Sequence, residues 1–216
     1  MKRCLVFLLI LFICIISFTM GCTNIDNQEQ EQQGEEQQGE EQQSTDAPNL
    51  SDYFPLTQGS TWKYMGEGSE YASFTREVLY VEENLAQIKE DNGGTVSASV
   101  FKISENEITR IFFEGEEYEE TNFLDEESDD NTIILKTPIE TGTTWEGPID
   151  IREIVGTDAT IDTPAGQFQS CIKVEIKGQN STIFEYFKDG IGLVKREFIS
   201  GDYKVISSLE TYNINP

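Results

Sequence analysis

An all-β fold is predicted for the body of this 216-residue chain, and three observations predict it. From Leu50 onward apolar side chains alternate with polar ones at a period of two, and they almost nowhere hold the i, i+3, i+4, i+7 spacing of a helix. Turn-forming clusters such as Asp91-Asn92-Gly93-Gly94, Lys188-Asp189-Gly190 and Ser200-Gly201-Asp202 punctuate the runs at hairpin intervals. One phrase also occurs twice, Pro55-Leu56-Thr57-Gln58-Gly59-Ser60-Thr61-Trp62 and Pro138-Ile139-Glu140-Thr141-Gly142-Thr143-Thr144-Trp145, and it holds both tryptophans of the protein. Each copy reads as a device that launches a strand: Pro fixes φ, Gly permits a tight turn, and β-branched Thr leads into a large ring that needs burial. The architecture expected is a single curved antiparallel sheet or half-barrel built from two similar halves, behind a signal peptide and a disordered acidic linker.

The chain opens with Lys2 and Arg3 and then fourteen residues, Leu5 to Phe18, that are apolar except Ser17. This run is shorter than the roughly 20 residues of a membrane span and ends in small and polar residues, as a secretory signal does. Gly21-Cys22 resembles the end of a bacterial lipobox, although Thr19 stands where Leu is usual. Residues 1–21 are therefore read as a lipoprotein signal peptide and Cys22 as the lipidation site; an uncleaved anchor or a plain secreted protein is the alternative. Two acyl chains on Cys22 would anchor stably, at about 0.8 kcal/mol per buried CH₂. Cys4 and Cys14 leave with the signal, so Cys171 remains as a thiol without a partner. One nearby cation and no His make it a small strand residue and not a nucleophile.

Residues 22–49 are Gln, Glu and Gly with almost no apolar side chain, and Gly-Glu-Glu-Gln-Gln recurs at Gly34 and Gly39. Such a segment cannot bury enough surface to fold and reads as a solvated spacer. With Lys2 and Arg3 in the signal, 13 of the 15 bases remain against all 40 acids, a net of −27. That charge excludes nucleic acid as a partner and disfavours direct contact with anionic lipid headgroups, so the membrane is reached through the lipid anchor.

Residues 50–216 suit one antiparallel β domain. Strands are expected at Thr61 to Gly66, Glu70 to Val81, Leu85 to Lys89, Thr95 to Ile103 and Glu107 to Phe113. In the second of these, Ala72, Phe74, Val78 and Tyr80 are placed on one face. Glu114 to Asp130 holds ten acids in seventeen residues and is read as an exposed connection anchored by Tyr118 and Phe123. Asp125, Glu127, Asp129 and Asn131 alternate as Ca²⁺ ligands would, but the loop lacks the glycine and the final bidentate Glu of an EF-hand, so no metal is assigned.

The second half is expected to run through Thr132 to Lys136, the repeated Pro-Trp phrase, and strands at Ile149 to Val155, Ala159 to Asp162, Phe168 to Lys177, Ser181 to Lys188, Gly192 to Ile199 and Tyr203 to Tyr212. In Phe168 to Lys177, Phe168, Ile172, Val174 and Ile176 share one phase and Lys173, Glu175 and Lys177 the other, the mark of a sheet wet on one side. Phe101-Lys102 and Phe187-Lys188 extend the likeness between the halves at an offset that drifts from 83 to 86.

Tyr53-Phe54-Pro55-Leu56 with Gly59, Trp62 and Tyr64, then Thr163-Pro164-Ala165-Gly166 with Phe168, then Phe184 to Lys195 including Gly190-Ile191-Gly192-Leu193-Val194-Lys195, together resemble a domain of uncharacterised lipoproteins from Gram-positive bacteria. The resemblance implies a curved antiparallel sheet similar to the half-barrel of lipoprotein carriers, and it carries over no catalytic residue. Read as residues, these motifs are turns and strand starts. Gly190-Ile191-Gly192 is followed by a strand and not by the helix that a phosphate cradle needs.

The protein has no histidine, which removes Ser-His-Asp and Cys-His catalysis and imidazole zinc sites. Catalytic residues, cofactor and metal are accordingly assigned to none. Three readings of function remain: a non-enzymatic binding or interaction domain with an unknown envelope partner; a carrier that holds a lipid or other small hydrophobic ligand against Tyr71, Phe74, Phe184 and Tyr186; and a hydrolase that uses two of the many carboxylates. A carrier requires an apolar cavity of several hundred Å³ open to solvent, whereas an interaction module should be filled through its centre.

Overall fold

A computed structural model describes residues 49–216; the signal at 1–21, Cys22 and the spacer at 22–49, apart from Asn49, lie outside the described residues. One turn of 3-10 helix at Leu50–Tyr53 precedes twelve strands: β1 Thr61–Glu67, β2 Phe74–Glu82, β3 Leu85–Asp91, β4 Val96–Ile103, β5 Glu107–Gly115, β6 Thr132–Lys136, β7 Thr144–Glu146, β8 Ile151–Thr163, β9 Gly166–Lys177, β10 Thr182–Lys188, β11 Gly192–Ser200 and β12 Tyr203–Asn213.

All twelve form one antiparallel sheet in the order β6-β5-β4-β3-β2-β1-β12-β11-β10-β9-β8-β7. The order is a plain meander read as a ring. The first and last strands meet through a full ladder from Thr61↔Asn213 to Glu67↔Ile206, and the two free edges, β6 and β7, are consecutive in sequence. The sheet curls until these edges face each other. No backbone ladder joins them; instead the Trp145 indole N–H and Nη1 of Arg152 both donate to the Ile133 carbonyl, at 3.0 and 3.1 Å. The result is a nearly closed barrel, sealed at its chain ends and latched by side chains in the middle of the sequence.

The repeated Pro-Trp phrase builds the same local geometry in each half. Gly59 N donates to Val78 O and Val78 N to Ser60 O; Gly142 N donates to Ile154 O and Ile154 N to Thr143 O. Gly59 and Gly142 have φ of 79° and 96°, the left-handed region that a Cβ would disfavour. Each Trp then stands opposite an arginine on the next strand, Trp62↔Arg76 and Trp145↔Arg152. This correspondence extends the repeat to Arg76-Glu77-Val78 and Arg152-Glu153-Ile154.

Most strands fall where the alternation places them, with three corrections. Ile149 to Val155 and Ala159 to Asp162 are one strand, β8, because bulges near Gly156 and Ala159 absorb the phase change that mimics a break. The second strand starts at Phe74 rather than Glu70, and a bulge between Val78 and Tyr80 moves Tyr80 off the buried face. The acidic connection is anchored by Phe123, stacked on Phe112 with centroids 4.9 Å apart, and by buried Leu124, while Tyr118 is exposed. Lys89 and Glu120 form an ion pair beside this connection.

That connection is also held by Gln87, whose fully buried amide donates to Thr121 O and accepts from Phe123 N, both at 2.8 Å. Gln87→Leu should strand both backbone groups against the outer face of β3, costing about 1–3 kcal/mol. Limited proteolysis should then cut within residues 116–131 well before the rest of the domain, and an unchanged cleavage pattern would show that the loop is held elsewhere.

Candidate functional site

Twelve strands enclose more space than one layer of side chains fills, and the chain deals with the surplus in two ways. One end is plugged by the segment from Leu50 to Leu56. Leu50, Tyr53, Phe54 and Leu56 are buried, and Phe54 lies between Phe101 of β4 and Phe187 of β10, with centroids 5.1 and 6.4 Å away. The motifs singled out in the sequence meet here. Gly190 N donates to Asp52 O, the Trp62 indole N–H to Ile191 O and the Tyr64 hydroxyl to Leu193 O. The Tyr-Phe-Pro-Leu and Gly-Ile-Gly motifs are thus two halves of one structural joint.

The rest of the interior is a cavity of about 260 Å³. Phe54, Phe101, Phe187, Ile88, Ile176, Ile183 and Leu193 give it apolar walls, and Phe113 and Thr132 stand near an opening bounded further by Asp130, Pro148, Ile149 and Asp150. Into this space project Arg76, Arg110, Arg152 and Arg196, which are all the arginines of the chain after Arg3. None of the nine lysines after Lys2 lines it. The partition has a physical basis: guanidinium is more weakly hydrated than ammonium and is the cation that tolerates an interior.

Each guanidinium has its own carboxylate. Arg76 on β2 lies directly opposite Glu90 on β3, Nε to Oε2 2.7 Å; Arg196 on β11 lies opposite Glu185 on β10, with Nε and Nη2 at 2.9 and 2.8 Å from Oε1. Arg110 reaches Asp130 at 2.5 Å and Arg152 reaches Asp150 at 3.0 Å. Pairing offsets the cost of taking a guanidinium out of bulk water. Burial pushes the Glu90 carboxyl up, but the charges of Arg76 and Arg196, the hydrogen bond from Arg76 and the more distant Arg110 outweigh it and hold Glu90 below the ordinary glutamate range. Burial likewise pushes Asp130 up, and hydrogen bonds from Thr132 and Arg110 bring it below its usual value. Tyr64, whose ring lies beneath Arg76, is pushed up to about 12, with burial outweighing the positive charges of Arg76 and Arg196.

The aromatic residues expected to line a carrier cavity are elsewhere. Tyr71 is exposed, Phe74 is buried and stacks on Tyr64 at 4.3 Å, and Phe184 and Tyr186 lie against the ammonium of Lys173 at 4.0 and 5.5 Å, away from the cavity lining. Among the described residues no three of His, Cys, Asp and Glu cluster as a metal site. Cys171 is fully buried, its Sγ–H pointing at Phe168 O at 3.6 Å, and burial pushes the thiol up to about 11. Ellman's reagent should therefore leave Cys171 unlabelled in the folded protein and titrate one thiol once it is denatured; fast native labelling would contradict the buried assignment.

No protein-family model matches the sequence, and neither does any curated protein. Two solved structures are loosely similar. One is described as an exported protein with a YmcC-like fold from Bacteroides fragilis, with a TM-score of 0.48, 16% identity, and coverage of 74% of this chain and 98% of that one. The other is described as a lipoprotein from Parabacteroides distasonis, with a TM-score of 0.44, 14% identity, and coverage of 78% of this chain and 100% of that one.

Proposed function

We propose that this protein is a lipoprotein held on the extracytoplasmic face of the bacterial cell membrane through acylated Cys22, and that its β domain is a non-enzymatic module that takes a ligand into the barrel. The observation that carries the binding role is the 260 Å³ cavity, into which the chain sends all four of its arginines beyond the signal. Arg152 bonds across the edge of the sheet to the Ile133 carbonyl, but a filled structural core has no use for three further interior guanidinium groups, each of which needs a compensating carboxylate.

The carrier of a lipid chain is less well supported. The apolar pocket between Phe54, Trp62 and Tyr64 measures about 20 Å³, room for little more than a water, and the larger cavity is half polar. The hydrolase reading needs a carboxyl held protonated as a general acid. Glu90 in the cavity and Asp130 at its opening are instead both held ionised by their arginines.

Metabolic labelling of cells with a fatty-acid probe tests the anchor. The chain should be labelled and sediment with membranes, and Cys22→Ser should abolish both. Label that persists in that variant would overturn the assignment of Cys22.

A further inference from the structure

The way each arginine spends its hydrogen bonds says what the cavity is built to hold. Guanidinium has five N–H donors. Arg76 and Arg110 each commit only Nε to the protein, and Arg196 commits Nε and Nη2 to a single carboxylate oxygen. The remaining terminal nitrogens make no hydrogen bond among the described residues, yet no buried side-chain nitrogen or oxygen there lacks a partner. Those nitrogens therefore border open space. They belong to residues that line the cavity.

We propose that the cavity binds a small oxyanion, a carboxylate or phosphate group on a short apolar body, with the open guanidinium edges of Arg76, Arg110 and Arg196 gripping the anionic head and Phe54, Phe101 and Phe187 packing the rest. This rests on the reading of the cavity as the binding site. Three features select this class over others. Unspent N–H donors outnumber the unspent carboxylate oxygens, Glu90 Oε1 and Glu185 Oε2, so the cavity is short of acceptors and not of donors. The planar guanidinium edge matches a carboxylate or phosphate in a bidentate manner, which an ammonium cannot do. The ion pairs to Glu90, Glu185 and Asp130 fix each fork before the ligand arrives, so little side-chain freedom is lost on binding.

The volume, at roughly 30 Å³ per displaced water, admits a ligand on the order of ten non-hydrogen atoms. Arg152 plays a different part: Nε and Nη2 are given to Asp150 and Nη1 to the Ile133 carbonyl, so it latches the barrel.

The test is calorimetric titration of the full chain in phosphatidylcholine nanodiscs, with empty nanodiscs as the blank, using four probes that share one tail: hexanoate, hexyl phosphate, 1-hexanol and hexylamine. Saturable one-to-one binding of hexanoate or hexyl phosphate is expected, with the better of the two naming the head group, and with 1-hexanol and hexylamine bound about tenfold more weakly or worse. Arg110→Gln and Arg76→Gln should each weaken the anion by about tenfold or more, while Lys173→Gln, on the outer face, should change nothing. The selectivity of the unmutated chain among the four probes decides the matter even if a variant does not fold. Equal or tighter binding of 1-hexanol or hexylamine, weakened by the same variants, would overturn the oxyanion while leaving the cavity as a binding site. Binding of none of the four would overturn both.

Discussion

Replacing Trp145 by alanine should destabilise the domain by about 3–5 kcal/mol, lowering the melting midpoint by roughly 10 °C. The ring is buried at 5% exposure and its N–H is one of two donors that bridge the unladdered edges. Trp145→Phe, which keeps most of the ring and loses the N–H, should cost about 1 kcal/mol beyond the lost volume. The two effects also differ in place. Hydrogen exchange in Trp145→Ala should rise first in β6 and β7, where side chains are the only latch, and last in β1 and β12, where a backbone ladder closes the ring. A uniform rise would mean that the junction of β6 and β7 is not the weak point of the barrel.

Arg196→Met should cost about 3–5 kcal/mol, because it leaves the Glu185 carboxylate, 8% exposed, without its guanidinium. The double variant Arg196→Met/Glu185→Met should recover most of that loss, since two apolar side chains of similar volume need no compensation inside. Additive losses in the double variant would show that packing, and not the pairing of charges, is what the two residues supply. The companion pair sets a pH dependence. The folded-state value of Glu90 lies below its ordinary 4.5, so its contribution is complete above that pH and is lost as pH falls through the lower, folded value. Acid unfolding of Glu90→Gln should therefore lack part of the slope seen in the parent.

The strands were legible because alternation is local, and nine of the twelve follow from it closely, while β7 follows from the repeated Pro-Trp phrase. What lies beyond neighbouring residues was not. Whether the sheet stops as a half-barrel or closes depends on β1 meeting β12 across the whole chain, a pairing that neither strand announces. The bulges in β8 and after Val78 hide in sequence because one extra residue inverts the phase of everything after it.

The arginines are hidden for a different reason: a charged side chain in a strand reads as solvent-facing, and Arg76 stands between Phe74 and Val78 on a face that otherwise reads as apolar. A signal was present. Arg76, Arg110, Arg152 and Arg196 each stand two residues from an aliphatic side chain with no exposed surface, Val78, Ile108, Ile154 and Val194 respectively. Four such placements, with no lysine sharing the cavity, mark an interior that is charged by construction.

A binding role requires that these guanidinium groups line an open, ligand-sized space. Phenylglyoxal, whose two carbonyl carbons are attacked by the terminal nitrogens of arginine, tests it directly on the full chain, with the modified sites read by peptide mass spectrometry. Arg76, Arg110 and Arg196 should react in the folded protein and be shielded by hexanoate or hexyl phosphate, while Arg152, with all three nitrogens engaged, should react slowest. Arginines that stay unmodified until the domain is denatured, or that react at the same rate with and without either anion, would contradict it.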